Sequence, residues 1–590
     1  MRNLSEWALC GLALGTTSVI SMALPSAAQT GLTVVYPPEQ HQTTADRIFL
    51  IGTASPEQPV QVNGQAIDSR SADGHFAPSF PLSLGENTFT LTQGDETLTL
   101  TVTRLSNVPM APAGVAFAGG SLLPAVDIAR QPNELVCFSA IAPANARVSV
   151  NLAGETIPLT AQTSAMVLPA NFAVLVGDNA PSAVPSAIQY EGCTQFDAPG
   201  NYGVPQFQLA LNGQAVTQLG SGGVTVLPPT PFQIAEVINP TGTARTGPST
   251  SYSRITPLPS GTRAAITGRE GDWLRLDYGG WIQASETRIF TSTAPPRSLI
   301  RSAQSQQIPG WTEVLFPLQV AVPVNVTQTD DRLTLTLYNT TAQTDTIYFD
   351  TNPVIERMDW RPILPDQAEY TFHFRTDQQW GYNLRYDGTT LVLSLRHPPQ
   401  PNADAPLANT TILLDPGHGG EELGARGPTG YPEKDVNLVV STLLRDELEA
   451  RGARVVMTRE TDVAVSLRDR IDQINQLEPT LALSIHYNAL PDNGDALNTA
   501  GIGAFWYDAQ AHDLAEFLHN YLVENLNRDS YGVYWNNLAL TRPHVAPTVL
   551  LELGFMINPT EFEWITDPES QQQLVTTLAD GIEAWLTQPR

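Results

Sequence analysis

Two kinds of hydrophobic patterning divide this chain. Between 31 and 398, apolar and polar positions tend to alternate, as in Thr88-Phe89-Thr90-Leu91-Thr92, Leu333-Thr334-Leu335-Thr336-Leu337 and Leu391-Val392-Leu393-Ser394-Leu395, with turn pairs such as Asn63-Gly64, Asp73-Gly74 and Gly94-Asp95. Period-two runs at this turn spacing predict small antiparallel sandwiches. From 411 onward the pattern changes to continuous apolar runs separated by helical periodicity. Strands are expected at 411–415, 454–457, 481–485, 503–506 and 548–551, and helices at 434–451, 466–476, 512–527 and 570–585. Apolar strands alternating with amphipathic helices predict an α/β domain, with strand ends feeding polar loops.

Pro-rich breaks subdivide the β-rich part. A first module is expected at 31–105, a second at 125–228, a third at 236–288 and a fourth at 298–398, before the α/β domain at 411–588. The segment 110–124, rich in Ala, Gly and Pro, reads as a linker, as do 292–296 and 397–408. The fold class is therefore multidomain, with several small all-β modules preceding a C-terminal α/β domain.

Composition adds compartment and partner. The 590 residues are too many for one core. A net charge of −28 excludes a nucleic-acid partner, because nothing would neutralise the phosphates. Arg2, the apolar stretch 8–24 and Ser26-Ala27-Ala28 read as a secretory signal at 1–28, cleaved after Ala28. Cys10 leaves with it, Leu9 is too bulky for a lipoprotein site, and no second hydrophobic span supplies a stable membrane anchor. The protein is expected to be exported, to the periplasm or to the extracellular wall. Cys137 and Cys193 would remain, and an oxidising compartment favours a disulfide between them.

The candidate chemistry begins at the 411–420 segment, TILLDPGHGG, where His418 follows a strand among Gly417, Gly419 and Gly420. No GK[ST] follows, so a phosphate loop is excluded. Glu433 opens the first helix, where a carboxylate is also a favourable dipole partner. His486 ends the 481–485 run and should reach the same sheet edge. Glu552 ends the run 547–551, where a buried carboxylate needs a metal or a cation; Arg459 or Arg542 would be the salt-bridge alternative. Two imidazoles and one carboxylate make a plausible zinc set with an open fourth position, and the spare carboxylate could serve as general base. The chain's single lysine, Lys434, lies inside this segment.

With these motifs in order, 411–588 resembles the zinc-dependent N-acetylmuramoyl-L-alanine amidases often called Amidase_3. The resemblance implies one Zn2+ held by His418, Glu433 and His486, with Glu552 as catalytic acid/base, and hydrolysis of the amide joining N-acetylmuramic acid to the L-alanine of the peptidoglycan stem peptide. Arg459, Arg542 and His544 are candidates to stabilise the oxyanion or grip the peptide's carboxylates, and Arg426 and Asn488 are candidate rim contacts. Tyr487 and Glu422-Leu423 depart from the family pattern and should alter the rim alone. The short connection from Asn488 to Gly503 leaves little room for the plugging helix of some members.

Other segments carry weaker resemblances. Residues 60–103 look like bacterial immunoglobulin-like modules. The segment 236–288, with Gly271-Asp272-Trp273 and Gly280-Trp281-Ile282, resembles bacterial SH3-like domains, and at least one of the two tryptophans should be core. The segment 298–398 looks like the AMIN modules that precede wall amidases. Peptidoglycan is thus the expected partner; a non-catalytic wall-binding protein and a stem-peptide peptidase are the competing readings. His41, His75, His373, His397, His512 and His519 read as bystanders.

Overall fold

The computed structural model describes residues 31–106, 110–162, 165–167, 181–184, 188–402 and 404–588. The signal segment 1–28 and Cys10 lie outside them.

The N-terminal part is built from antiparallel ladders. Gly85–Gln93 and Glu96–Arg104 pair over nine positions from Glu96↔Gln93, buried residues alternating with exposed ones on each. Their inner faces meet Ile48, Leu50 and Phe76 in a core of their own. The next segment pairs Leu135–Ile141 with Gln189–Gln195, which sets Cys137 opposite Cys193, and the two are joined by a disulfide. The expected linker at 110–124 is partly folded instead: Phe117 and Leu122 are buried in this second core, and Leu123 bridges Ser139. Two large apolar side chains, not the Gly/Pro content, decided its fate.

The second and third segments are not independent sheets. Ile128–Arg130 pairs with Arg263–Glu270, so one sheet runs from the second segment into the SH3-like one. Within the latter Trp281 is buried and Trp273 half-buried. The segment 298–398 forms a five-stranded and a four-stranded sheet around Val314, Phe316, Tyr370 and Phe372.

The C-terminal domain contains strands β1 (Thr411–Pro416), β2 (Arg454–Met457), β3 (Leu481–Asn488), β4 (Ile502–Trp506), β5 (Ser530–Trp535) and β6 (Thr548–Phe555). Its helices are α1 (Glu433–Ala450), α2 (Leu467–Leu477), α3 (His512–Leu526), α4 (Pro559–Thr566) and α5 (Pro568–Leu586). The sheet order is β2-β1-β3-β6-β4-β5; β2, β1, β3 and β6 are mutually parallel, and β4 runs antiparallel to β6. β1 and β3 are buried along nearly their whole length, as strands covered on both faces must be. Leu407, in the expected separator, is wholly buried in this core.

Edge strand β5 and helix α4 were not anticipated. β5 reads SYGVYW, with no uninterrupted apolar run, and α4 starts at a Pro–Thr pair capped by Asn558. The first module packs on the loops beyond the C-terminal ends of these strands: Phe49, Ile51 and Ala77 share a cluster with Leu490, Ala496, Phe555 and Ile557. The 298–398 segment packs at the opposite end, where Tyr382 N–H donates to the His544 carbonyl at 2.7 Å.

Candidate metal centre

Parallel register assembles the centre. β1 delivers His418 two residues beyond Pro416, β3 carries His486, and the register sets His486 beside Glu552 of β6. α1 begins at Glu433 and presents that carboxylate from above. His418 Nε2 lies 3.2 Å from Glu433 Oε2, and His486 Nδ1 lies 3.0 Å from Glu433 Oε1. The imidazole centroids are 4.9 Å apart, and donor atoms of all three residues lie within 4.8 Å of one another.

The backbone explains the glycines. A Cβ at Gly417 would sit 2.2 Å from His486 Cε1, and one at Gly424 would sit 2.4 Å from Glu433 Oε2. Only hydrogen fits at either place. His418 itself has φ +60°, a region that non-glycine residues rarely occupy and that functional sites hold against its cost.

Electrostatics separate the two carboxyls. Burial pushes Glu433 up, but contacts with His418 and His486, and their charges, outweigh it and hold the carboxyl well below the usual range. Glu433 Oε1 also accepts from the Tyr487 N–H at 3.1 Å and Asn437 Nδ2 at 3.2 Å, and Oε2 from the Ala425 N–H at 2.8 Å. Burial pushes His418 down, whereas Glu433 and Glu422 hold it above its ordinary value. Glu552 is pushed far up, first by burial and then by the charge of Glu433. Its Oε2 is shut off from solvent and has no hydrogen-bond partner, and the same is true of His486 Nε2. Neither Arg459 nor Arg542 pairs with Glu552 among the described residues.

Buried polar atoms without partners are expected where a ligand belongs. A His2Glu donor set with a spare carboxylate alongside suits zinc with one open position. These residues therefore fit the metal.

Residues 412–584 match the model of the N-acetylmuramoyl-L-alanine amidase family, and 241–287 that of the bacterial SH3 domain. The germination-specific N-acetylmuramoyl-L-alanine amidase of Bacillus subtilis (strain 168) is 33% identical over 205 residues, which is 31% of this chain and 82% of that relative. The chain belongs to the N-acetylmuramoyl-L-alanine amidase family. The probable cell wall amidase LytH of Staphylococcus aureus is 35% identical over 184 residues, and the chain spans 60% of its length. Among solved structures, an N-acetylmuramoyl-L-alanine amidase from Clostridium difficile 630 is 29% identical, with 30% of this chain and 97% of that one covered at a TM-score of 0.29. AmiC2 of Nostoc punctiforme gives the same identity and TM-score, with 98% of its chain covered.

The remaining expectations for this amidase are placed unequally. Asn488 ends β3 two residues from His486, with Nδ2 buried and unpartnered. Arg426 is exposed on the loop between His418 and Glu433, and its backbone bridges to Pro432. Arg459 is not free to grip a substrate. It donates to the carbonyls of Pro416, Gly417 and Lys434 at 3.0, 2.9 and 2.7 Å, tying the His418 turn to α1.

Arg542 and His544 are not brought to the metal centre. Both precede β6, at the opposite end of the sheet from Glu552. Arg542 donates to the Ile255 carbonyl and stacks on Tyr507 at 3.9 Å, and His544 stacks on Tyr382 at 4.5 Å. Strand direction, which a nearby sequence number does not convey, is the reason.

Other supports were missed. Arg470 of α2 is buried against Asp415 and donates to the carbonyls of Pro416 at 2.8 Å and His418 at 2.6 Å. Asn437 stands one helical turn beyond Glu433 and reaches Gly417, and the i, i+4 spacing was the available signal. Lys434 Nζ donates to the Gly420 carbonyl at 2.9 Å and pairs with Asp462. His519, read as a bystander, is buried and bonded to Ser530 at 2.9 Å.

Proposed function

We propose that this chain hydrolyses the amide between N-acetylmuramic acid and the L-alanine of the peptidoglycan stem peptide, using one zinc ion held by His418, Glu433 and His486. The observation that carries the reading is the meeting of that donor set with Glu552, whose buried Oε2 has no hydrogen-bond partner and which stands in register with His486. When bound, the zinc supplies Lewis acidity and lowers the pKa of a coordinated water to about 7.

The chain's own groups then have distinct tasks. Glu433 bridges both imidazoles and, held by three N–H donors, keeps its orientation as substrate enters. Glu552 takes a proton from the attacking water and returns it to the departing alanine nitrogen. Asn488 Nδ2 is a donor for the peptide near that bond. Arg459, Arg470 and Asn437 hold the main chain that aims His418.

The wider assignment is of the same kind. The 236–288 and 298–398 segments, the second AMIN-like, keep the enzyme on the wall, and the export signal with the Cys137–Cys193 bond suits action outside the cytoplasm. Among the described residues no helix is long and apolar enough to cross a membrane. The 489–501 loop contains no helix, which favours a site without a plug.

Digestion of intact sacculi tests the reading. Peptides with a free N-terminal L-alanine are expected. Cleavage only between amino acids would mean a peptidase, and retention on sacculi without products a binding protein.

A further inference from the structure

A second group of metal-binding donors lies where the first module meets the catalytic domain. Asp73 and His75 belong to the first module and Glu563 to α4, and donor atoms of the three lie within 4.8 Å of one another. The local fold fixes all of them. The Ser71 carbonyl accepts from the Gly74 N–H at 3.1 Å and Ser71 Oγ from the His75 N–H at 3.0 Å, closing the turn that carries Asp73. The Asp73 N–H donates to Glu563 Oε1 at 2.7 Å across the interface. The His75 ring packs edge-on against Phe562, with centroids 5.3 Å apart.

The charges do not balance as they stand. Two carboxylates from different modules face each other, and no ion pair among the described residues involves either of them. Arg70, close to the same turn, donates instead to the carbonyls of Gln58 and Ser55. Like charges set opposite each other across an interface oppose docking unless something cationic lies between them.

The imidazole is oriented for that purpose. His75 Nδ1 is 2.9 Å from Thr53 Oγ1, which leaves Nε2 as the nitrogen free for a ligand. A ring nitrogen bonded to an oxygen behind the ligand is the usual support of a metal-binding histidine. We propose that Asp73, His75 and Glu563 form a second divalent-cation site, selective for a transition metal such as Zn2+ or Mn2+, which clamps the first module to the catalytic domain. One imidazole and two carboxylates suit such ions. The site stands independently of the catalytic ligand set.

The experiment uses the full chain, stripped of metal and dialysed against Zn2+ or Mn2+ alone, with bound metal measured by elemental analysis. Wild type is expected to hold two Zn2+ per chain, His418→Ala one, Glu563→Gln one, and the double variant none. Asp73→Asn and Glu563→Gln should weaken the second site by about 100-fold or more, since losing a ligand exceeds the effect of losing an outer partner. In the His418→Ala background, Zn2+ should raise Tm, and Glu563→Gln should remove that rise. Equal metal content in wild type and Glu563→Gln, or an unchanged Tm on adding metal to His418→Ala, overturns the site. Metal lost in Glu563→Gln but not in His418→Ala overturns the catalytic ligands and leaves this site standing.

Discussion

The two ends of β6 bury similar chemistry and use it differently. At the C-terminal end, Glu552 lies beside His418 and His486, and at the other, Asp508 and His544 lie near Arg542. Both ends hold a carboxyl pushed up by burial: Asp508 rises to about 7, with Arg542 pulling it partly back. Each also holds a histidine displaced from its ordinary value, and His544 falls to about 4 through burial and then the charge of Arg542. Burial and displaced titration therefore do not by themselves mark a functional site.

Convergence distinguishes the two. At the N-terminal end each group faces a different neighbour: His544 stacks on Tyr382, Arg542 on Tyr507, and the Gln510 side chain donates to the His544 carbonyl at 3.3 Å. The His544–Tyr382 contact joins the catalytic domain to the 298–398 segment, and Arg542, donating to the Ile255 carbonyl, joins it to the SH3-like one. At the C-terminal end both imidazoles turn to one carboxylate, and His486 Nε2, Glu552 Oε2 and Asn488 Nδ2 stay without partners around it. Asp508 Oδ2 is also without a partner at the N-terminal end, so the difference is that only at the C-terminal end do two imidazoles and a carboxylate converge on one point.

That contrast can be broken most severely at the metal. His418→Ala is expected to lose catalytic zinc and bring sacculus hydrolysis below detection; retained turnover would show that the two ends do not differ as described. Glu552→Gln should keep zinc by elemental analysis while kcat falls about 10²- to 10⁴-fold, the range for a lost acid/base. Unchanged turnover in that variant would remove Glu552 from the reaction.

Smaller effects concern support and stability. Arg470→Met leaves Asp415 charged and buried, so it should destabilise the domain by about 3–5 kcal/mol in urea unfolding. At the other end, Asp508 has a folded pKa above its unfolded value. Its contribution to stability is full below about pH 4 and lost as pH rises through about 7. Asp508→Asn should therefore be more stable than wild type by about 1–3 kcal/mol at pH 8, the difference closing near pH 4. An unfolding series across that range checks the sign. Arg542→Ala should change kcat/KM on wall fragments by less than about twofold, because it touches no reacting group. A larger change would connect the two ends.

Much of the C-terminal domain was legible because parallel strands covered on both faces are written as apolar runs. β1, β3 and β6 extend the expected strands at 411–415, 481–485 and 548–551 by one to four residues at the site end. There the runs turn polar at His486 and Glu552, where side chains leave the core. β5 escaped because an edge strand need not bury both faces. The 110–124 reading failed because Gly and Pro content describes local flexibility, whereas Phe117 and Leu122 answer to a distant core.

The sequence by itself determined the local alphabet: where strands and helices run, and which residues carry imidazole and carboxylate at their ends. Those outcomes depend on periodicity and on near-neighbour sterics, which short segments contain. Only the tertiary structure decided which polar groups share a point in space. It separated His544 and Arg542 from Glu552 by the length of a strand, and turned Arg459 inward to main-chain carbonyls. It also placed the first module against the catalytic loops, where Tyr36 and His41 both reach Asp492. Such meetings depend on contacts between residues hundreds of positions apart, and no local pattern encodes their direction.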